Sequence, residues 1–280
     1  MRVYRISSQA KINLNLNVIK KSQSKGIHLI ETLVCFIKLS DKISINKINS
    51  NSHKILFTGK YSQGISKKNT IKKLLNLLDK EKKLKNNKYR IVIKKEIPQQ
   101  SGMGGGSMNA ASLLSFFYKK NLLKLGDIKK YAIKTGSDVI LGLNNIPKIQ
   151  YTNGFIRELG GVKKYIVLIV KPSFGCSTKK IYLNNETFSR SEFKNTKGNI
   201  LKNVILYGKN DLEKSAFKLY PALKKIKELL LKNKQAKFVR MTGSGSALVA
   251  YYQSKEKCEN AKKKFNKKYK NYWCIASKTI

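Results

Sequence analysis

The residues best suited to chemistry form one glycine-rich stretch, I-P-Q-Q-S-G-M-G-G-G-S-M-N-A-A, which runs from Ile97 to Ala111. Glycine adopts positive φ and lets a ligand approach the backbone because it has no Cβ. The apolar residues that follow predict a helix, whose N-terminus would stabilise an anion through unpaired N–H groups. A phosphate-binding loop and a tight turn between a strand and a helix explain the pattern equally well. The glycines are Gly102, Gly104, Gly105 and Gly106.

Common nucleotide-binding motifs do not account for this loop. The sequence contains no G-x-x-x-x-G-K-[ST], and Ser107 stands where a dinucleotide fingerprint starting at Gly102 needs its third glycine. The histidines are His28 and His53, and neither begins the H-R-D of a protein kinase. The sequence therefore excludes the P-loop, the Rossmann fingerprint and the protein-kinase signature.

Two charged residues outside the loop are candidates for proton transfer and charge neutralisation. Lys11 lies in A-K-I-N-L-N-L-N-V, where its face of the predicted strand borders either solvent or a site, and a solvated lysine is the simpler interpretation. Asp138 lies in G-S-D-V, between Ser137 and an apolar run. A helix N-cap or turn is the simpler interpretation of Asp138, and a catalytic carboxylate is the alternative.

Alternating and helical periodicities predict the elements that must position these residues. Strands are predicted at Ala10–Val18, Ile27–Leu39, Lys42–Ile48, Lys54–Phe57, Tyr89–Glu96, Tyr165–Val170, Phe238–Met241, Leu248–Tyr252 and Asn271–Ala276. Helices are predicted behind the glycine loop and at Thr70–Lys80, Ile128–Thr135, Pro221–Lys232 and in the lysine-rich segment before the last strand. This mixture predicts a mixed α/β organisation, and the turn-rich segment 144–161 is the best domain boundary.

The formal net charge of +44 suggests nucleic acid or an anionic membrane as a partner, but its distribution argues against both. Lysine is spread over nearly every segment and only six arginines occur, whereas base readout relies on guanidinium groups. The charge is therefore interpreted as a compositional bias on solvated faces.

The cysteines and the hydropathy pattern favour a cytoplasmic protein. Cys35, Cys176, Cys258 and Cys274 are far apart and form no C-x-x-C, which disfavours a metal site or a disulfide framework. No apolar run is long enough to span a membrane, and the N-terminal residues do not resemble a signal peptide. The length of 280 residues suits one large or two modest domains.

The order of the motifs, taken together, resembles that of the GHMP kinases over nearly the whole chain. The motifs are A-K-I-N-L at Ala10–Leu14, G-I-H-L-I-E-T-L at Gly26–Leu33, the glycine loop, G-S-D-V at Gly136–Val139, and M-T-G-S-G-S-A at Met241–Ala247. The resemblance implies the two-domain α+β GHMP kinase fold. In it, residues 1–155 form a ribosomal protein S5 domain 2-like, ATP-binding domain and residues 156–280 form a ferredoxin-like domain.

The resemblance also implies an activity. The chain resembles the branch of the family that uses ATP and Mg²⁺ to phosphorylate a hydroxyl of a cytidine-diphosphate-linked methylerythritol. That reaction belongs to the methylerythritol phosphate route to isoprenoids. That implies a small-molecule substrate, no specific nucleic acid, no membrane, and a monomer or homodimer. The alternatives are another GHMP kinase acting on mevalonate, homoserine or a sugar, a non-catalytic basic RNA-binding protein, and an inactive kinase.

Site residues follow from the resemblance position by position. Lys11 and Asp138 match the family lysine and aspartate that act on the attacking hydroxyl, and Ser107 matches a hydroxyl that assists Mg²⁺. The residues implied at the ATP site are Pro98, Ser101, Gly102, Gly104, Gly105, Gly106 and Ser107. The residues implied at the phosphate acceptor are Asn13, His28, Thr178, Tyr182, Gly243 and Gly245.

This chain departs from the family pattern at three places. Related loops usually carry a second serine where this chain has Met108, so Ser107 is the hydroxyl expected near Mg²⁺. Family members often have tyrosine where Ile27 stands, which removes an aromatic contact expected at the cytosine. The usual Val-Pro after the aspartate is replaced by Val139 and Ile140.

Overall fold

The computed structural model describes residues 2–21, 28–193, 198–232 and 235–280, and the chain forms two compact units. The first unit comprises Met1–Lys11, Leu39–Gln99 and Gly104–Asn145, and the second comprises Ile12–Lys38, Gln100–Met103 and Ile146–Ile280. Two long strands, β1 (Tyr4–Lys21) and β2 (His28–Ile48), contribute residues to both units. The boundary between residues 155 and 156 stays a prediction.

In the first unit, parts of β1 and β2 and two further strands carry a layer of helices. Residues 42–48 of β2 pair antiparallel with β4 (Lys88–Lys94), and β4 pairs parallel with β3 (Lys54–Thr58). The helices are α1 (Thr70–Lys80), α2 (Gly105–Lys119) and α3 (Leu125–Thr135), followed by a short 3-10 turn at Ile140–Leu143. Helix α1 has its predicted bounds, because Asn69 accepts a hydrogen bond from the backbone N–H of Lys72 and caps its N-terminus.

The core of the first unit follows directly from the two periodicities. Alternate residues of β2 and β4 are fully buried, as are the residues of α1 and α2 spaced three and four apart. This packing holds the start of α2 against the end of β4, which is where the glycine loop lies. The buried residues include Ile43, Ile45, Ile91, Ile93, Leu74, Leu78, Ala110, Leu114 and Phe117.

The second unit contains a four-stranded antiparallel sheet in the order β10-β7-β9-β8. These strands are β7 (Ile166–Lys171), β8 (Phe238–Met241), β9 (Leu248–Tyr252) and β10 (Trp273–Lys278). Its helices are α4 (Thr178–Leu183), α5 (Gly198–Tyr207), α6 (Leu212–Leu219), α7 (Pro221–Lys232) and α8 (Lys255–Lys268). Residues 32–34 of β2 pair with β5 (Lys148–Gln150), which pairs with β6 (Ile156–Glu158).

The predicted α+β class is confirmed, and one local prediction was wrong. The segments predicted as separate strands at 27–39 and 42–48 form the single strand β2, because Leu39, Asp41 and Ile43 continue one buried face. Segment 144–161 contains the short strands β5 and β6, which the sequence did not predict, and its role as a domain boundary stays a prediction. None of the helices formed by the described residues is long and apolar enough to cross a membrane.

Candidate functional site

Lys11 and Asp138 lie together in the first unit. The Lys11 Nζ is 3.4 Å from Asp138 Oδ2, and the two side chains are 5 % and 35 % exposed respectively. Lys11 is therefore not the solvated lysine that was the simpler interpretation. Asp138 lies in the turn after α3, but the residue at the N-cap position of the 3-10 turn is Val139. The pair combines a buried cation with a carboxylate that a ligand can reach.

The glycine loop brings the N-terminus of α2 onto Lys11. Gly104 is the N-cap residue of α2 with φ of 68°, and the Met108 N–H donates to its carbonyl at 2.9 Å. The N–H groups of the three residues between them precede this first helical hydrogen bond and form the positive end of the helix. A Cβ on Gly104 would lie 3.1 Å from Lys11 Cγ and 3.2 Å from Lys11 Cε. The absence of that Cβ lets the lysine stem pass close to the loop.

Gly105 and Gly106 differ in what surrounds them. A Cβ on Gly105 would lie 3.2 Å from both Ile97 Cγ2 and Lys95 Nζ, so a second ammonium lies beside the first residue of α2. A Cβ on Gly106 would meet only Thr70 Oγ1, at an ordinary 3.5 Å. The start of α2 thus combines a helix N-terminus with two lysines, an arrangement that favours an anion.

Asp41 holds this region together and was missed as a functional candidate. It lies inside β2 and is fully buried. Its Oδ2 accepts hydrogen bonds from Lys95 Nζ and from Asn109 Nδ2, the latter at 2.9 Å. Its Oδ1 accepts from the backbone N–H groups of Glu96 at 2.8 Å and Ile97 at 2.9 Å.

Met108, the departure inside the loop motif, packs away from the loop. Its side chain is 2 % exposed, and its Sδ would lie 2.7 Å from a Cβ on Gly142 in the 3-10 turn. Ser107 is half-buried in the first turn of α2. The described residues contain no group of three or more His, Cys, Asp or Glu side chains able to hold a metal ion.

In the second unit, Asn13 is bound by the C-terminal glycine turn. Its Oδ1 accepts from the Gly243 N–H at 2.8 Å, and its backbone N–H donates to Thr242 Oγ1 at 3.1 Å. Its Nδ2 donates to Thr32 Oγ1 at 2.7 Å. Asn13 is 2 % exposed, so its face of β1 is a buried wall and not a solvated surface.

The same turn pairs with the first part of the glycine loop, residues 100–102. The Ser246 N–H donates to Gln100 O at 3.0 Å and the Ala247 N–H to Ser101 O at 3.2 Å. Gly102 has φ of +73°, and a Cβ there would lie 1.9 Å from the carbonyl oxygen of Thr242. The T-G-S-G-S turn is thus both a β8–β9 hairpin and a support for the loop.

Three further predicted acceptor residues also lie in the second unit. The ring of His28 is 5.2 Å from that of Tyr182, and its Nε2 is buried with no hydrogen-bond partner among the residues described. Burial lowers the pKa of His28, and the nearby Lys21 ammonium lowers it further. Thr178 Oγ1 and Ser244 Oγ are hydrogen-bonded at 2.8 Å.

The remaining predicted positions are less informative. Gly245 has φ of +83°, and a Cβ there would lie 2.9 Å from Met241 Sδ. Its backbone conformation and the lack of space therefore explain why glycine occupies this position. Pro98 is buried in the first unit, directly after Ile97. Ile27, the departure expected at the cytosine, lies outside the described residues.

Comparisons with known proteins agree along the whole chain. The family models for the GHMP kinases N terminal domain and the GHMP kinases C terminal match residues 69–149 and 193–271. A protein of Pelagibacter ubique (strain HTCC1062) called 4-diphosphocytidyl-2-C-methyl-D-erythritol kinase is 48 % identical over 100 % of both chains. One of the same name from Thermoanaerobacter pseudethanolicus is 32 % identical over 100 % of this chain and 97 % of its own. A solved 4-(cytidine 5'-diphospho)-2C-methyl-D-erythritol kinase covers 99 % of this chain and 100 % of its own at 22 % identity, with a TM-score of 0.78, and supports the fold.

Proposed function

The chain belongs to the GHMP kinase family, and we propose that it transfers the γ-phosphoryl group of ATP to the 2-hydroxyl of 4-diphosphocytidyl-2-C-methyl-D-erythritol. This reaction belongs to the methylerythritol phosphate route of isoprenoid precursor synthesis. Support for the substrate comes from the full-length relative of that name at 48 % identity. The observation that carries the chemistry is the pairing of buried Lys11 with reachable Asp138 beside Gly104.

Asp138 is the proposed base. Its carboxylate accepts the proton of the acceptor hydroxyl while that oxygen forms its bond to the γ-phosphorus and the bond from phosphorus to the β-phosphate oxygen breaks. Lys11 lies 3.4 Å from the carboxylate and places a positive charge where the hydroxyl oxygen becomes negative. Burial fixes the lysine, so this charge requires little reorganisation during the reaction.

The first turn of α2 is the proposed phosphate site. The N–H groups of Gly105, Gly106 and Ser107 lie ahead of the first helical hydrogen bond and are suited to phosphate oxygens. The loop residues Pro98, Ser101, Gly102 and Gly104 are assigned to the same nucleotide by their match to the family motif. The positive end of α2 and the nearby Lys95 ammonium favour the same anion.

Ser107 is the proposed side-chain ligand of Mg²⁺, which when bound neutralises the charge that develops on the phosphates. Mg²⁺ is commonly held by one or two protein ligands together with substrate phosphates and waters. The donor set fits this pattern, because the described residues offer no larger carboxylate or histidine cluster and Ser107 lies in the phosphate-binding turn. Met108 does not contribute, because its side chain packs toward Gly142.

The acceptor is assigned to residues of the second unit. His28 supports this assignment, because its buried Nε2 has no partner among the described residues and can exchange a hydrogen bond with a nucleobase. The Tyr182 ring packs against the His28 ring at an interplanar angle of 54°, which would fix the orientation of His28. The remaining assigned residues are Asn13, Thr178, Gly243 and Gly245.

One experiment tests the function. Purified protein is incubated with Mg-ATP and 4-diphosphocytidyl-2-C-methyl-D-erythritol, and the product is examined by mass for one added phosphoryl group. Asp138→Asn should lower kcat by about 10²- to 10⁴-fold, the usual contribution of a general base. Mevalonate, homoserine and galactose serve as competing acceptors. Preferential phosphorylation of one of these acceptors would refute the substrate assignment. Full turnover by Asp138→Asn would refute the assignment of Asp138 as the base.

The proposal also covers localisation, oligomeric state and the domain boundary. The resemblance and the scattered lysines suggest a cytoplasmic monomer or homodimer that binds no specific nucleic acid. The family's two domains are proposed to be joined near residues 155 and 156. Gel filtration tests the oligomeric state, and salt-dependent retention on RNA would contradict the absence of a nucleic-acid partner.

A further inference from the structure

We infer that Asp41 is a positioning residue for the nucleotide: it fixes both ends of the phosphate-binding loop without touching the ligand. This inference rests on the proposed use of the α2 N-terminus for ATP phosphates. Asp41 is buried in β2, and its carboxylate joins three separate segments of the first unit. The negative charge of Asp41 is therefore bound by donors inside the protein.

The hydrogen bonds of Asp41 lie on either side of the loop. Before the loop, its Oδ1 accepts from the N–H groups of Glu96 and Ile97 at 2.8 and 2.9 Å. Behind the loop, its Oδ2 accepts from Nδ2 of Asn109, the fifth residue of α2, at 2.9 Å. One carboxylate thus defines where the chain enters the loop and where the helix begins.

The same carboxylate also fixes a cation. Asp41 Oδ2 accepts a hydrogen bond from Lys95 Nζ, the atom that lies 3.2 Å from the Cβ position of Gly105. Lys95 is 5 % exposed, so loss of its anionic partner leaves a buried ammonium that must move or recruit another group. Either response disturbs the backbone N–H groups at the start of α2. The expected defect is therefore in nucleotide binding.

A purely structural role for Asp41 makes a different prediction. It would lower the fraction of folded enzyme and therefore the apparent kcat, while the KM values of the remaining molecules stay unchanged. A positioning role raises KM for ATP more than KM for the acceptor. The two roles are separated by comparing these KM values with the Kd of a non-hydrolysable ATP analogue.

The decisive variant is Asp41→Asn, measured by calorimetry with the ATP analogue and by steady-state kinetics. The Kd of the ATP analogue and the KM for ATP should each rise by about 10- to 100-fold, the effect expected when the phosphate-binding loop moves by about 1 Å. KM for the acceptor should stay within about twofold on the same reasoning. The double variant Asp41→Asn, Lys95→Met removes the uncompensated charge and should recover part of the stability that Asp41→Asn loses. Its affinity for the ATP analogue should stay low, because the Lys95 ammonium that favours the phosphates is also absent.

Asp79→Asn is the matched control. Asp79 also binds a lysine, Lys88, with Nζ 2.7 Å from its carboxylate, and Lys88 begins the strand that Lys95 directly follows. Lys88 lies roughly 20 Å along the chain direction from Lys95. Asp79→Asn should leave the affinity for the ATP analogue unchanged. An equal loss of affinity in both variants would overturn the inference, as would unchanged nucleotide binding in folded Asp41→Asn.

Asp41→Glu decides the matter if Asp41→Asn does not fold. It keeps the charge but lengthens the side chain by one methylene, so it should bind Lys95 while moving the loop, and the affinity for ATP should fall. Wild-type affinity in Asp41→Glu would contradict a positioning role. If wild-type protein binds the ATP analogue but forms no phosphorylated product, the proposed function fails, and the Kd comparison still tests Asp41.

Discussion

Gly104→Ala is the most direct test of how the loop and the proposed catalytic lysine, Lys11, depend on each other. Gly104 has φ of 68°, and its missing Cβ leaves room for Lys11. An alanine Cβ would lie 3.1 Å from Lys11 Cγ and 3.2 Å from Cε, so one of the two must move. The flexible lysine stem yields more easily than the helix, and its movement displaces Nζ from Asp138.

The structure gives two separate magnitudes for this change. Placing alanine in the left-handed region costs about 1–2 kcal/mol of folding free energy. Displacing a charged group by about 1 Å from its productive position lowers kcat by about 100-fold. The matched control is Gly106→Ala in the same loop, where the Cβ meets only Thr70 Oγ1 at 3.5 Å. Because Gly106 is helical, alanine there should stabilise the protein by about 0.5–1 kcal/mol.

The assay combines urea unfolding with kinetics on four proteins: wild type, Gly104→Ala, Lys11→Met and the double variant. Methionine keeps most of the stem but removes the ammonium, so the stability cost of Gly104→Ala should persist. Its effect on kcat should nearly disappear, because the displaced charge is already absent. Wild-type kcat in Gly104→Ala would contradict this dependence of Lys11 on the loop. Losses of kcat in the two single variants that simply multiply in the double variant would contradict it as well.

Two further predictions concern the second unit. Thr242→Val removes the hydroxyl that accepts from the Asn13 N–H at 3.1 Å, so the free energy of unfolding should fall by about 1–3 kcal/mol. Thr242→Ser keeps the hydroxyl and should retain most of the stability. Equal losses in urea melts of the two variants would contradict a role for the hydroxyl. Because burial and Lys21 lower the pKa of His28, the folded protein binds its proton less readily than the unfolded chain. The stability linked to neutral His28 should be complete well above pH 6.5 and should decrease as the pH falls through 6.5 toward the folded pKa. His28→Gln should abolish this dependence in pH-resolved melts, and an unchanged pH profile would contradict the prediction.

The sequence predicts elements reliably where one periodicity dominates. Helix α1 has its predicted bounds because an N-cap and an apolar stripe agree, and β8 and β9 have theirs because the glycine turn separates them. The strand β2 was divided wrongly because polar residues after Leu39 resembled a turn. The short strands β5 and β6 were missed because their pairing with each other and with β2 is a tertiary property.

The residues of the candidate site likewise differ in how far local sequence predicts them. The glycine loop, Lys11 and Asp138 are recognisable from local motifs and their order. Thr242 and Asp41 are not, because their partners lie far away in the chain: Thr242 meets Asn13, and Asp41 meets Asn109. Local sequence shows such a residue's type and cannot show its partners.

The aspartates nevertheless offered a usable signal, because acid is scarce in a chain with a net charge of +44. Asp41 and Asp211 are both buried carboxylates, and Asp211, at the N-cap position of α6, accepts from the Val18 N–H at 2.8 Å and makes no side-chain capping bond. The period of a strand distinguishes Asp41, since it shares its face with Leu39 and Ile43 and must be buried if they are. A buried carboxylate needs donors, and Lys95 continues the buried face of the neighbouring strand β4. Scarcity combined with periodicity therefore predicts a buried ion pair at the entrance to the loop, which neither pattern predicts alone.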